Sequence, residues 1–209
     1  MVRYDFVIIN RSFWPIYPVI GEGLLRLAES LAPNKKVAVI TQNHVNIKKL
    51  LNKSGRGVGV NFFPSWAFSK SSSNIFKRIF DSFFFMIWVF CILFITRPKK
   101  IYVSTDPPIL VPFIVSIYSK ITKAKYFYHL QDIHPEATNV VFKINSFFFK
   151  IIKIIDNYTL RNATLIITLN EQMKSVILER SNTQKQILII ENPSVQFNLN
   201  ISVNKTKGF

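Results

Sequence analysis

The chain has 209 residues, with 27 Lys and Arg against 11 Asp and Glu, a net charge of +16 and 49% apolar residues. That apolar fraction excludes a disordered chain, the single cysteine, Cys91, excludes a disulfide-built domain, and the length suits one domain. The positive excess points to one of two partners, a nucleic acid or an anionic membrane surface. No charged segment followed by a small-residue cleavage site opens the chain, so a reducing, cytoplasmic setting is expected.

Met1 to Asn10 contains a short apolar run of β-formers and predicts a buried strand. Trp14-Pro15 and Tyr17-Pro18 then break regular structure, and Gly21 and Gly23 bracket Glu22. Leu24, Leu27, Ala28 and Leu31 fall on one helical face. The opening unit therefore reads strand, Pro/Gly loop, helix. Lys36–Thr41 predicts a strand, Ile47–Lys53 a short basic helix and Val58–Phe63 a third strand. After a Ser-rich loop, Ile75–Thr96 is apolar and aromatic, and Phe83–Ile95 has no polar residue. That uninterrupted core is shorter than the ~18–20 residues needed to span a bilayer.

Further strands are predicted at Ile101–Ser104, Lys125–Leu130, Leu165–Thr168 and Ile187–Ile190, with helices at Ile109–Ile121, Ile144–Leu160 and around Met173–Arg180. Thr168 and Glu171 have capping-box spacing before the last of these helices. Strands alternate with helices throughout, and the strands are nearly continuous apolar runs. This predicts an α/β fold with a Rossmann-like parallel sheet of about seven strands, covered on both faces.

Ligands of such sheets bind beyond the carboxyl ends of the strands. Four segments there carry informative residues. At Gly21-Glu22-Gly23, backbone N–H groups and a helix start could approach an anion, or the segment is a simple turn. The spacing fits neither the dinucleotide fingerprint nor the phosphate loop, so no cofactor is implied. Thr105-Asp106-Pro107-Pro108 places a carboxylate at a helix start, where it either caps the helix or faces a ligand. His129 to Glu136 (HLQDIHPE) gathers two His and two carboxylates in a chain poor in acids. A carboxylate there can bind a sugar hydroxyl or take its proton. Alternatively, Asp132 and Glu136 cap the next helix and His129 fills the core. Metal ligation by His129, Asp132 and His134 would match no zinc spacing. The fourth segment, Glu191-Asn192-Pro193, by itself reads only as a turn.

Together these segments resemble the N-terminal domain of glycosyltransferase family 4, in the GT-B architecture. The bacterial members that build O-antigen, capsule or colanic-acid-type polysaccharides are the most similar. The resemblance rests on FVIINRSFWPIYPVIGEGLLRLAESLA, STDPPILVP, YFYHLQDIHPE and NATLIITLNEQMKSVI running to IIENPSV, and covers residues 3–195. It implies a Rossmann-like domain at 1–195 and a retaining hexosyl transfer; the tail at 196–209, polar and rich in Asn and Lys, reads as loose. Gly21, Glu22 and Gly23 would line the cleft near the transferred sugar and its phosphate. Asp132 would act on the acceptor side, with His134 and Glu136 shaping the loop. Thr105, Asp106, Gln131 and Asn192 complete the implied binding set. Many members have His-Asp where this chain has Gln131-Asp132.

The family's enzymes carry a second Rossmann domain that binds the nucleotide-sugar donor through a Glu-x7-Glu motif. Only 16 residues follow Pro193 here, without that motif. The expectation is a chain with little or no transferase activity alone: a truncated gene product, a half that pairs with a separate C-terminal polypeptide, or an isolated acceptor-binding half. The implied acceptor is a glycan on a polyprenyl diphosphate at the inner membrane face. Nine Lys or Arg between Glu29 and Asp81, with no acid among them, and two Phe-rich helices independently favour an anionic membrane surface. The dispersed basic residues and the lack of a helix-turn-helix or RNA-binding signature weigh against nucleic acid. A third reading, a membrane anchor spanning at Ile75–Thr96, would place the strands before and after it on opposite sides of the bilayer.

Overall fold

The computed structural model describes residues 3–70, 72–137 and 145–191. Seven parallel strands form one sheet in the order β3-β2-β1-β4-β5-β6-β7. They are β1 (Phe6–Ile9), β2 (Val37–Asn43), β3 (Val60–Trp66), β4 (Lys100–Ser104), β5 (Lys125–His129), β6 (Leu165–Thr168) and β7 (Ile187–Ile189). Among the described residues six helices connect them: α1 (Pro18–Leu31), α2 (Ile47–Ser54), α3 (Ile75–Thr96), α4 (Leu110–Thr122), α5 (Ser146–Asn162) and α6 (Glu171–Ser181). The Asn192 position and the 196–209 tail lie outside the described residues, as does the predicted helix start at Ile144.

Period-two alternation sorts the strand side chains into two cores. Val7, Ile9, Ile40, Ile101, Val103 and Tyr128 face α3, α4, α5 and α6. Ile8, Val37, Val39 and Tyr102 face α1 and α2. Right-handed crossovers produce this division, because the strand order reverses direction between β1 and β4. The connections that move one way put their helices on one face, and those that move the other way use the opposite face. On the α1–α2 face nothing among the described residues covers the outer strands. An apolar groove of about 440 Å³ remains there, lined by Leu24, Leu27, Phe127, Leu165, Ile167 and Ile190 among others.

The 22-residue α3 is the crossover from edge strand β3 to β4. It is longer than its polar-free centre suggested, and its 18-residue apolar window has a mean hydropathy of 2.3. By length and composition it could cross a membrane. However, β3 and β4 lie in the same parallel sheet, so the anchor reading, which separates them, does not hold. Asp81, Phe85, Val89, Ile92, Leu93 and Thr96 form its buried stripe. Phe76, Phe80, Phe83 and Ile87 remain exposed on the other side.

Three local expectations are corrected. The Pro/Gly segment before Leu24 is helical: α1 starts at Pro18, where a missing N–H costs nothing in a first turn. Gly21 is then an interior helical residue, and it sits where the helix meets the chain after β1. A Cβ at Gly21 would lie 2.2 Å from the Trp14 backbone nitrogen. The third strand runs through Trp66 because β2, its partner, continues to Asn43. The last helix is capped by Asn170, which accepts from the Met173 N–H, and not by Thr168, which is buried in β6.

The two α1 glycines give opposite expectations. Gly21→Ala forces backbone apart and should destabilise the chain by at least about 2 kcal/mol. Gly23→Ala meets no atom within 4 Å, and should stabilise by roughly 0.5–1 kcal/mol through the helix preference of Ala. Denaturant titration of both variants tests this, and equal effects would contradict the packing.

Candidate functional site

The loops after β1 and β4 diverge at the strand-order reversal, where a crevice opens beyond the sheet. Hydrogen bonds join these loops to each other and to β2. The Arg11 N–H donates to the Asp106 carbonyl at 2.9 Å, and the Ser12 N–H to Asp106 Oδ2 at 2.7 Å. The Thr41 hydroxyl donates to the Arg11 carbonyl at 2.9 Å, and Ser104 Oγ donates to Asn10 Oδ1. Asp106 therefore ties two loops together and does not cap α4, whose start has no side-chain cap. The α4 N-cap, Ile109, has φ +66°, a strained conformation for a β-branched residue.

A cavity of about 790 Å³ lies over this junction. Thr105, Asp106, Gln131, Asp132 and His134 line it, and Ile75, Arg78 and Ile79 of α3 form one wall. Asp132 is exposed to it. Thr105 is nearly buried and links the β4 and β5 ends: its N–H donates to the His129 carbonyl at 3.2 Å, and its Oγ1 accepts from the Gln131 N–H at 3.2 Å. Burial holds the His134 imidazole below its ordinary pKa, and the charges of Asp132 and Glu136 oppose that shift.

Arg180 anchors the 134–136 segment from below. Its guanidinium, 3% exposed, donates to the His134 carbonyl at 2.6 Å and to Glu136 Oε2 at 2.8 Å, and pairs with buried Asp156. Burial raises the Asp156 pKa, and the adjacent guanidinium opposes this. Tyr128 donates to Asp156 Oδ1 at 2.9 Å. Glu136 is thus committed to Arg180, and to Lys153 at 3.6 Å, and does not line the cavity.

The structure therefore brings together Thr105, Asp106, Gln131, Asp132 and His134. Of the α1 residues, Gly21 and Glu22 do not join them, and Gly23 meets only Gln131, in the neighbouring groove. Gly21 packs on the Trp14 backbone, and Gly23 lines the apolar groove on the sheet face. Glu22 pairs with Arg26 at 2.7 Å and with Arg56 at 3.2 Å. The suggested His129, Asp132 and His134 grouping does not form a ligand set. The His129 Nδ1 bonds with the Tyr102 hydroxyl in the groove below, and no cluster of three metal-ligating side chains occurs among the described residues. Arg11 and Arg180 were not singled out from the sequence, because their acidic partners lie 70 and 24 positions away.

No family model matches the chain, and no curated protein matches it by sequence. Solved structures do match in shape. Arabidopsis thaliana UGT89C1 complexed with quercetin superposes with a TM-score of 0.54 at 9% identity, covering 90% of this chain and 50% of that one. A UDP-glucosyltransferase from Polygonum tinctorium superposes with a TM-score of 0.53 at 9% identity, covering 94% and 53%. UGT89C1 complexed with UDP-L-rhamnose gives 0.54 at 10% identity, covering 94% and 54%. The chain has the Rossmann-like fold of a GT-B half domain. It spans about half the length of the structures it matches.

Burial pushes the His129 pKa from 6.5 down to about 4. An unfolded His takes up a proton near 6.5, so the folded chain resists protonation across that interval. The stability from neutral His129 is complete above pH 6.5 and is lost as the pH falls toward 4. Wild type should lose up to about 3 kcal/mol more than His129→Phe between those limits. Parallel acid limbs in denaturant titrations of the two would contradict this.

Proposed function

We propose that the chain is the N-terminal, acceptor-side half of a glycosyltransferase of family 4. In this reading it acts in O-antigen- or capsule-type polysaccharide synthesis. The observation that carries the proposal is the cavity at the β1/β4 reversal, into which Asp132 is exposed beside Thr105, Asp106 and Gln131. These groups suit a sugar: carboxylates accept from hydroxyls, and the Gln131 amide both donates and accepts. Asp132 is the group in this set best exposed to take or hold a hydroxyl proton of an acceptor. The fold it shares with UDP-glucosyltransferases supports the transferase class. The polyprenyl-diphosphate-linked acceptor, the retaining hexosyl outcome and the cytoplasmic, inner-face location belong to the same proposal and come from the resemblance.

The nucleotide-sugar donor would be held by a second domain, beyond the half that this chain represents. The apolar groove over β5–β7, which nothing among the described residues covers, supports further packing on this face. Purified alone, the 209-residue chain should show no sugar transfer above background with nucleotide-sugar and polyprenyl-diphosphate substrates. Robust transfer by the isolated chain would overturn the dependence on a second domain.

Membrane attachment fits the outer surface of the same site. Helices α3 and α5 both start where a strand side ends, at the cavity edge of the sheet. Their N-terminal halves expose Phe76, Phe80, Phe147 and Phe148, interleaved with Lys77, Arg78, Lys150 and Lys153. Each such cation near an anionic leaflet contributes about 1 kcal/mol. The chain should sediment with anionic vesicles, and Phe76→Ser with Phe80→Ser should reduce this without unfolding it. Sedimentation with DNA or RNA but not with vesicles would favour the nucleic-acid module instead.

A further inference from the structure

We propose that a second, smaller cavity beside the acceptor site binds a phosphate or diphosphate group. This cavity measures about 360 Å³ and lies at the carboxyl ends of β1, β2 and β3. Arg11, His44, Lys70 and Arg78 line it, and Asp106 is the only acidic side chain among its lining residues. Asp106 is already engaged, because its Oδ2 holds the Ser12 N–H at 2.7 Å.

The cations are of two kinds. Arg11 is fixed. Its guanidinium donates to Asp81 Oδ2 and to Ser69 Oγ, each at 3.2 Å. Asp81 is fully buried and also accepts from Gln42 Nε2 at 2.8 Å and from the Ser69 hydroxyl at 2.6 Å. Five donors from four residues besides its own helix hold this carboxylate, so Arg11 is held in one place at the cavity wall. Lys70 and Arg78 are exposed and have no carboxylate partner among the described residues. Two exposed cations and one fixed guanidinium lining a concave space make an anion site, because charge-assisted bonds to phosphate oxygens can replace water on all three.

A second observation points the same way. Asn43 is 3% exposed and lines this cavity, yet its Nδ2 has no hydrogen-bond partner among the described residues. Its Oδ1 accepts from the His44 N–H at 2.9 Å, which sets the amide orientation. A buried N–H donor left unpaired costs about 1–3 kcal/mol, and an anion in the cavity would satisfy it. The smaller cavity shares Arg11, Ser12, Arg78 and Asp106 with the larger one. A ligand could therefore place its phosphate here and its sugar beside Asp132. That link to a lipid-linked acceptor rests on the function proposed above, whereas the anion site does not.

The test needs no transferase assay. Inorganic pyrophosphate should bind the 209-residue chain saturably in calorimetry at physiological salt. The double variant Lys70→Ala, Arg78→Ala should bind at least about tenfold more weakly. A charge-matched control on α2, Lys49→Ala with Lys53→Ala, should bind as wild type does. Vesicles of phosphatidylglycerol form the second arm. If Lys70 and Arg78 also serve lipid headgroups, their variant loses vesicle sedimentation as well as pyrophosphate binding. If they serve a diphosphate alone, only pyrophosphate binding is lost. Absence of saturable binding, or equal weakening by the two double variants, would overturn the site.

Discussion

The reversal of strand order between β1 and β4 is the constraint on which the rest depends. Right-handed crossovers that move in opposite directions along a parallel sheet place their helices on opposite faces. The chain builds β1, β2 and β3 in one direction and then returns across its own sheet to add β4 on the other side of β1. That return contains α3. The loops after β1 and β4 then part in opposite directions, and a crevice between them is unavoidable. Asp106, Ser12, Thr41 and Thr105 close the base of that crevice with hydrogen bonds and leave its upper space to Asp132 and His134.

The same return explains the unusual character of α3. A helix that crosses the sheet and reaches its rim must be apolar where it is covered and can be anything where it is not. Here it is apolar on both sides, with a buried Asp81 stripe inward and a row of Phe outward. The buried carboxylate is stabilised by Arg11, Gln42 and Ser69, so a polar group inside the core also organises the cavity wall. Arg180 does the equivalent job beneath the β5 loop through Asp156, Glu136 and the His134 carbonyl. Two long-range arginines thus support the two halves of the crevice.

Much of the fold could be read from the residues. The seven strands are apolar runs bounded by Pro, Gly and polar clusters, and each was located to within a few positions. The start of α1 was obscured because Pro18 reads as a breaker although it occupies a first turn. The end of β3 was missed because Pro64 and Ser65 look like a turn, whereas pairing with Thr41 and Gln42 extends the strand. Of the site, the Thr105–Asp106 and Gln131–His134 segments were legible because they follow strands and carry scarce acidic groups. The commitments of Glu22 to Arg56, and of Glu136 to Arg180, were not, since each joins segments distant in sequence. The unpaired Asn43 amide is likewise a property of packing that no spacing reveals.

The central claim is that the crevice at the β1/β4 reversal holds a phosphorylated glycan acceptor. Hydrogen exchange of the 209-residue chain, with and without a short-chain polyprenyl-diphosphate sugar, tests it most directly. Slowed exchange at residues 10–13, 42–44, 104–106 and 129–134 together is the expected result. Protection confined to the apolar groove around Phe127 and Ile167, or no protection anywhere, would contradict it.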